Sequence, residues 1–234
     1  MNELAPVFQI AVGTPDFMAC DSHMMVAPNF DAENLDDLNE DQEALLFAAS
    51  IRLREGLRNT GIIVNNGVSA RQTISHLHLH VVHYDEVYDK QGDFFMPSYR
   101  ATLAPKDLRG HEDTRRIFAK SGSYNAWFET KSAAGSRGHI VIPSRHETPE
   151  LYMAARSMRG LLKHYYSISS MGDLNEQVSG FTYVFESNEL HILPWRNNAP
   201  APHSATNAMR VLNGRRDSFV GKGWTEMQFK PGDM

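Results

Sequence analysis

The chain has 234 residues, of which 41% are hydrophobic and 22% charged, the balance of a soluble globular protein built as one large domain or two small fused ones. Its formal net charge of −5 gives no basis for a nucleic-acid binder held by bulk charge. A single cysteine, Cys20, rules out an intramolecular disulfide and fits a reducing compartment. Met1 to Pro6 lacks the basic segment and apolar run of a signal peptide, and no apolar stretch approaches membrane-spanning length. The expectation is a cytoplasmic chain with neither a membrane nor a nucleic acid as partner.

Val7 to Val12 reads as a short strand closed by the turn signal Gly13-Thr14-Pro15-Asp16, since Gly and Pro punctuate local structure. Phe17 to Asp21 and His23 to Ala27 follow as strands, the second stopped by Pro28. Asn39 has the chemistry of a helix N-cap and Gln42, three residues on, completes a capping-box pair. The helix is expected to run to about Arg58 with Leu46, Ala49, Leu53 and Leu57 on one face, ended by Asn59-Thr60-Gly61. Ile62 to Asn65 is a strand, Asn66 to Arg71 a polar loop containing Gly67, and Gln72 to Val82 another strand. Three strands, a helix and two strands result.

From Tyr84 to Gly122 the pattern loosens around Pro97, Pro105 and Gly110, which reads as a connector with one short helix near Asp113 to Lys120. The earlier order then recurs. Asn125 to Lys131 is an aromatic strand, and Gly138 to Pro143 echoes His23 to Pro28. Thr148 caps a helix with Pro149 at its first position, a favoured arrangement. Leu151, Ala154, Ala155, Met158, Leu161, Leu162 and Tyr165 keep helical spacing. Phe181 to Glu186 and Asn188 to Trp195 close the second series as strands. An internal duplication is the simplest account, with residues 1–85, 86–122, 123–196 and 197–234 as first half, connector, second half and extension. The Pro- and Asn-rich extension carries one expected helix around Ala205 to Leu212.

Within Gln72 to Val82, His76, His78 and His80 alternate with Leu77, Leu79 and Val81. In a strand, successive side chains point to opposite faces, so the imidazoles share one face and the apolar residues anchor the other. Burying three imidazoles is costly without polar partners. Solvent-facing histidines would need no function. A metal site would take two histidines at i and i+2 with a third ligand, but no carboxylate or cysteine sits at ligand spacing nearby. A chemical role remains: a neutral imidazole attacks phosphorus and splits one transfer into two easier steps, while neighbours hold the oxygens and protonate the leaving group. Activity should then fall as pH drops through the histidine range.

His76-Leu77-His78-Leu79-His80-Val81-Val82 resembles the histidine-triad (HIT) motif His-φ-His-φ-His-φ-φ, where φ is apolar. Asn65, Gly67, Gln72 and Thr73 are similar to that family's approach to the triad, and His23 to Pro28 to its His-φ-φ-φ-φ-Pro strand. The resemblance spans roughly residues 7 to 85. It implies that His78 is the nucleophile taking the nucleoside α-phosphate and that His80 hydrogen-bonds the phosphate. His76 and His23 would set tautomer and polarity, while Asn65, Gln72 and Thr73 would contact phosphate oxygens or the leaving group beside Gly67. Asp21 lies where the family places an acidic residue on the ribose hydroxyls, although the loop that follows is here only Ser22.

The length and the recurring order resemble the fused branch of the superfamily, with galactose-1-phosphate uridylyltransferase and the dinucleoside tetraphosphate phosphorylases. The implied fold is α+β: two fused HIT-like halves, each an antiparallel sheet with helices, forming an intramolecular pseudo-dimer. In the second half Glu189 stands in the place of His78 and His191 in that of His80, so no nucleophile remains there. Aligned on Pro143, Gly138 is the counterpart of His23, and His139 should face the other way. Uridylyltransferases carry Gln at the third triad position, whereas His80 matches the hydrolases. The expectation is therefore a nucleotide hydrolase, with neither metal nor cofactor, acting as a monomeric pseudo-dimer or a homodimer. The alternatives are a nucleotidyltransferase or phosphorylase and a nucleotide-binding protein with little turnover.

Overall fold

The computed structural model describes residues 8–13, 24–57, 60–70, 72, 75–83, 115–129, 139–169, 177–186, 188–196 and 225–229. Among these residues ten strands form one antiparallel sheet: β1 (Phe8–Gly13), β2 (Met24–Pro28), β3 (Thr60–Asn66), β4 (Leu79–His83), β5 (Arg115–Ser121), β6 (Tyr124–Glu129), β7 (His139–Pro143), β8 (Val178–Glu186), β9 (Glu189–Arg196) and β10 (Thr225–Phe229). Their spatial order is β10-β1-β2-β4-β3-β8-β9-β7-β6-β5. Helix α1 (Glu40–Arg54) connects β2 to β3, and α2 (Pro149–Ser169) connects β7 to β8. Outward from the central β3–β8 pair the same succession appears on both sides: β4, β2, β1 on one, β9, β7, β6 on the other.

Both helices begin where side-chain chemistry predicts. Asn39 Oδ1 accepts the Gln42 N–H at 2.9 Å and Gln42 Oε1 accepts the Asn39 N–H at 2.9 Å, satisfying donors with no intrahelical partner. Thr148 Oγ1 accepts the Leu151 N–H at 3.3 Å, and Pro149 occupies the first helical turn, where a missing N–H costs nothing. Helix α1 stops earlier than its periodicity predicts. The chain turns at Gly56, whose φ of 80° lies in the left-handed region open to glycine. Leu57 thus falls beyond the helix, 49% exposed.

One sheet face carries both helices. Val26, Ile62, Val64, Leu79, Val81, Phe181, Tyr183, Ile140 and Ile192 form a single apolar cluster with Leu46 and Phe47 of α1 and Leu151, Tyr152 and Met158 of α2. The two helices meet through Phe47 stacked on Tyr152, ring centroids 3.7 Å apart. Beside them Arg159 donates from Nη1 and Nη2 to the Glu43 carboxylate at 2.8 and 2.9 Å, from Nη1 to Tyr183 Oη at 2.7 Å and from Nε to Asp36 at 3.1 Å. Glu43 is fully buried, a position a carboxylate occupies only with a fully bonded partner.

Four further details depart from expectation. The short helix foreseen near Asp113 to Lys120 is instead β5, paired with β6 from Arg115↔Glu129 to Ser121↔Tyr124. Strand β10, with no strong sequence pattern, pairs with β1. Leu161 and Tyr165 of α2 are 46% and 50% exposed, so the buried stripe is narrower than its run of apolar residues. The histidine strand is regular only from Leu79; the described residues just before it, Ser75 to His78, are irregular chain. The foreseen strand Phe17–Asp21 and the helix Ala205–Leu212 lie outside the described residues.

Candidate active site

The face opposite the helices is also buried, and the triad sits on it. The register links Met25, His80, Ile63, Val184, His191 and Val141 in one row across five neighbouring strand pairs. Leu77, Leu79 and Val81 belong to the helix-side core, so the alternation of imidazole and apolar side chain survives where the ladder has not yet begun. His76, His78 and His80 are 4%, 3% and 2% exposed.

Each buried imidazole finds polar company. His76 Nε2 lies 2.8 Å from the Pro28 carbonyl, and His78 Nδ1 lies 2.8 Å from the His76 carbonyl. A carbonyl oxygen only accepts, so His76 carries its proton on Nε2 and His78 on Nδ1. The Nε2 of His78 is therefore the unprotonated atom with the lone pair. The rings of His78 and His80 stand edge to face with centroids 4.8 Å apart. Burial pushes the His78 imidazole down to about 4; the Pro28-side brace acts only on His76, whereas the His76 carbonyl opposes the fall at His78 and the His76 ring adds to it. Burial also lowers His76, against the opposing pull of the Pro28 carbonyl and the Asp31 charge. The His78 imidazole is neutral across the ordinary histidine range.

The chain before β4 is held to the segment Ala32 to Leu35 by three hydrogen bonds. Leu77 N–H donates to the Ala32 carbonyl at 2.8 Å, Leu35 N–H to Asn66 Oδ1 at 2.6 Å, and the Gln72 amide to the Glu33 carbonyl at 2.6 Å. Gln72 also accepts the Gly67 N–H through Oε1 at 2.7 Å. Its side chain thus braces the loop beside the triad. Gly67 has φ 91°, and a Cβ there would come within 2.7 Å of the Ser179 carbonyl, so glycine is required twice over. From the other side a Cβ on Gly180 would meet the Ala70 nitrogen at 2.6 Å. The triad loop and β8 touch backbone to backbone.

Asn65 is half-buried and shares the face of Ile63, hence of His80. Its Oδ1 accepts the Thr182 hydroxyl at 3.1 Å. The structure thus brings together His76, His78, His80, Asn65, Gly67 and Gln72. Asp21, His23 and Thr73 lie outside the described residues. Sequence reasoning missed the Pro28 carbonyl, read only as a strand stop, and the Asn66 side chain, read only as loop; backbone acceptors and long-range braces leave no local pattern.

At the mirrored place on the other side of β3–β8 stands His191, whose Nδ1 is 3.3 Å from His139 Nε2. His139 therefore faces the same way as His191, contrary to the alignment on Pro143. The cause is register: Val141, two residues along from His139, is the residue opposite His191. Glu189 Oε2 lies 3.8 Å from His191 Nε2. Among the described residues no group of three or more His, Cys, Asp or Glu side chains is placed to hold a metal ion. Nor is any described helix long and apolar enough to cross a membrane.

Residues 16–87 match the family model of the HIT domain. A comparison with curated proteins gives no match. Among solved structures, the chain is similar to a DUF4931 family protein from Bacillus cereus ATCC 10987, at 14% identity over 93% of this chain and 99% of that one, with a TM-score of 0.53. It is also similar to a GalT-like protein from Arabidopsis thaliana, at 13% identity over 84% of this chain and 80% of that one, TM-score 0.50. At such identities the likeness is one of fold. The triad and the matched model together place residues 16–87 in the histidine-triad superfamily.

Proposed function

We propose that this protein is a nucleotide hydrolase that works through a covalent nucleotidyl-His78 intermediate. The observation that carries the reading is the 2.8 Å contact of His78 Nδ1 with the His76 carbonyl, which leaves the Nε2 lone pair for attack. In the first step Nε2 bonds to the α-phosphorus of a nucleoside phosphate ester, anhydride or phosphoramidate. The bond to the leaving group breaks, and that group departs with the electron pair and takes up a proton. Positive charge grows on the ring as the bond forms, and the Nδ1–H donation to His76 stabilises it. The anionic phosphate supplies a counter-charge. Water then attacks phosphorus, gives up a proton, releases the nucleoside monophosphate and restores neutral His78.

In this reading His80 holds a non-bridging oxygen and His76 fixes the tautomer of its neighbour. Asn65 donates to the phosphate, Gln72 and Gly67 shape the loop, and Thr73, His23 and Asp21 keep the roles the family resemblance implies. The two series of strands and helices act as fused halves with one working site.

A second reading passes the nucleotide from His78 to phosphate or a sugar phosphate; the fold likeness to the GalT-like protein favours it. A third, a nucleotide-binding protein with little turnover, is separated by kinetics. The wild-type chain should release the leaving group from an adenosine or uridine 5′-phosphoramidate, and His78→Ala should lose activity by about a thousandfold or more, the scale of removing a covalent nucleophile. Undiminished turnover by His78→Ala would overturn the assignment.

A further inference from the structure

Two buried polar residues of the second series reach the working site. Trp195 on β9 is 3% exposed and Thr182 on β8 is 2% exposed. The Trp195 indole N–H donates to Thr182 Oγ1 at 2.9 Å. An indole nitrogen only donates, so the threonine oxygen is the acceptor there and its own proton is directed elsewhere. It goes to Asn65 Oδ1 at 3.1 Å, the partner directly across the β3–β8 ladder. With Oδ1 held in this way, the Asn65 Nδ2 donors are turned to the other side of the amide.

We propose that Thr182 and Trp195 are positioning residues that aim the Asn65 amide at the phosphate carried by His78. Packing alone would not ask for them. Thr182 shares its face with Ile63, Val184 and Leu193, all fully buried, and a valine would fill the same volume without a polar group to satisfy. A hydroxyl there is worth its desolvation only where its direction is used. The series that lacks a nucleophile in the place of His78 thus contributes to the chemistry of the series that has one. The inference rests on the covalent His78 reading, and its test keeps the two separate.

The experiment is single-turnover transfer from adenosine and uridine 5′-phosphoramidates to His78 in the full chain. Thr182→Val should slow transfer at saturating probe by about tenfold, the scale of one misdirected hydrogen bond, with little change in the probe's dissociation constant. Thr182→Ser, which keeps the hydroxyl, should restore the rate, and Trp195→Phe should fall between. In an Asn65→Ala background Thr182→Val should cost nothing further, because the residue it acts through is gone. A Thr182→Val rate near that of the wild type, no rescue by serine, or a full extra loss in the Asn65→Ala background would each overturn the inference. Should Thr182→Val fail to fold by its melting curve, Trp195→Phe decides, and an unchanged rate there overturns it. If the wild type forms no His78 adduct with either probe, the underlying reading fails before any variant is compared.

Discussion

His78 joins two properties that its surroundings set separately. The His76 carbonyl chooses which nitrogen is bare, and burial decides over what pH range it stays bare. With the imidazole pushed down to about 4, adduct formation at pH 5.5 should stay close to that at pH 7, and a midpoint near 6.5 would contradict the structure. The sequence pointed to the ordinary histidine range because local pattern says nothing about desolvation. The same burial makes the fold acid-sensitive. Below about 6.5 the unfolded chain takes up a proton that the folded site refuses, so stability is full above that pH and is lost as pH falls toward 4. At about 1.4 kcal/mol per unit, His78 alone accounts for on the order of 3 kcal/mol. Denaturant titrations at pH 7 and 4.5 should show a smaller loss for His78→Ala than for the wild type; equal losses would refute the assignment. At this scale the shared face of the three histidines was legible from their alternation with apolar residues, while Asn65 and Gly67 were singled out only through the family resemblance. The tautomers, the Pro28 brace and the Thr182 contact were not, since each depends on residues far apart in the chain.

Among elements, the capped helix starts were legible because Asn39 with Gln42 and Thr148 with Pro149 act locally. The histidine-bearing β4 was legible from alternation, although only Leu79 onward is regular. Strand β5 was misread as helix because it is an edge strand at the end of the sheet order, where one-sided pairing imposes little pattern. The contact between α1 and α2 was also invisible, and it yields a sharp contrast. Removing Glu43 strips the buried Arg159 guanidinium of its buried carboxylate and leaves it only the partly exposed Asp36, so Glu43→Ala should destabilise the fold by about 3–5 kcal/mol. Lys163 bonds Asp36 across partly exposed surface, and Lys163→Ala should cost less than about 1 kcal/mol. Chemical denaturation of both variants checks this, and similar losses would contradict the buried-pair account.

Over the whole molecule, the ten-stranded sheet and its helices share one apolar cluster, and the β3–β8 pair is its centre. The recurring order of elements was legible because it repeats caps and apolar runs; the way the two series join was not, since a sheet pairing between distant strands has no signature in either strand. A chain cut after residue 121 would bare the β3 edge, the Phe47 side of α1 and the unpaired Glu43. It should be insoluble or inactive, and a soluble fragment that turned over phosphoramidate would count against the shared core. The central claim is the bond between phosphorus and His78 Nε2. Rapid acid-free quenching of the full chain with adenosine or uridine 5′-phosphoramidate, followed by peptide mass analysis, tests it most directly. The account predicts one nucleotidyl group on His78, stable in base, labile in acid and absent from His78→Ala; steady turnover with no adduct on His78 would contradict it.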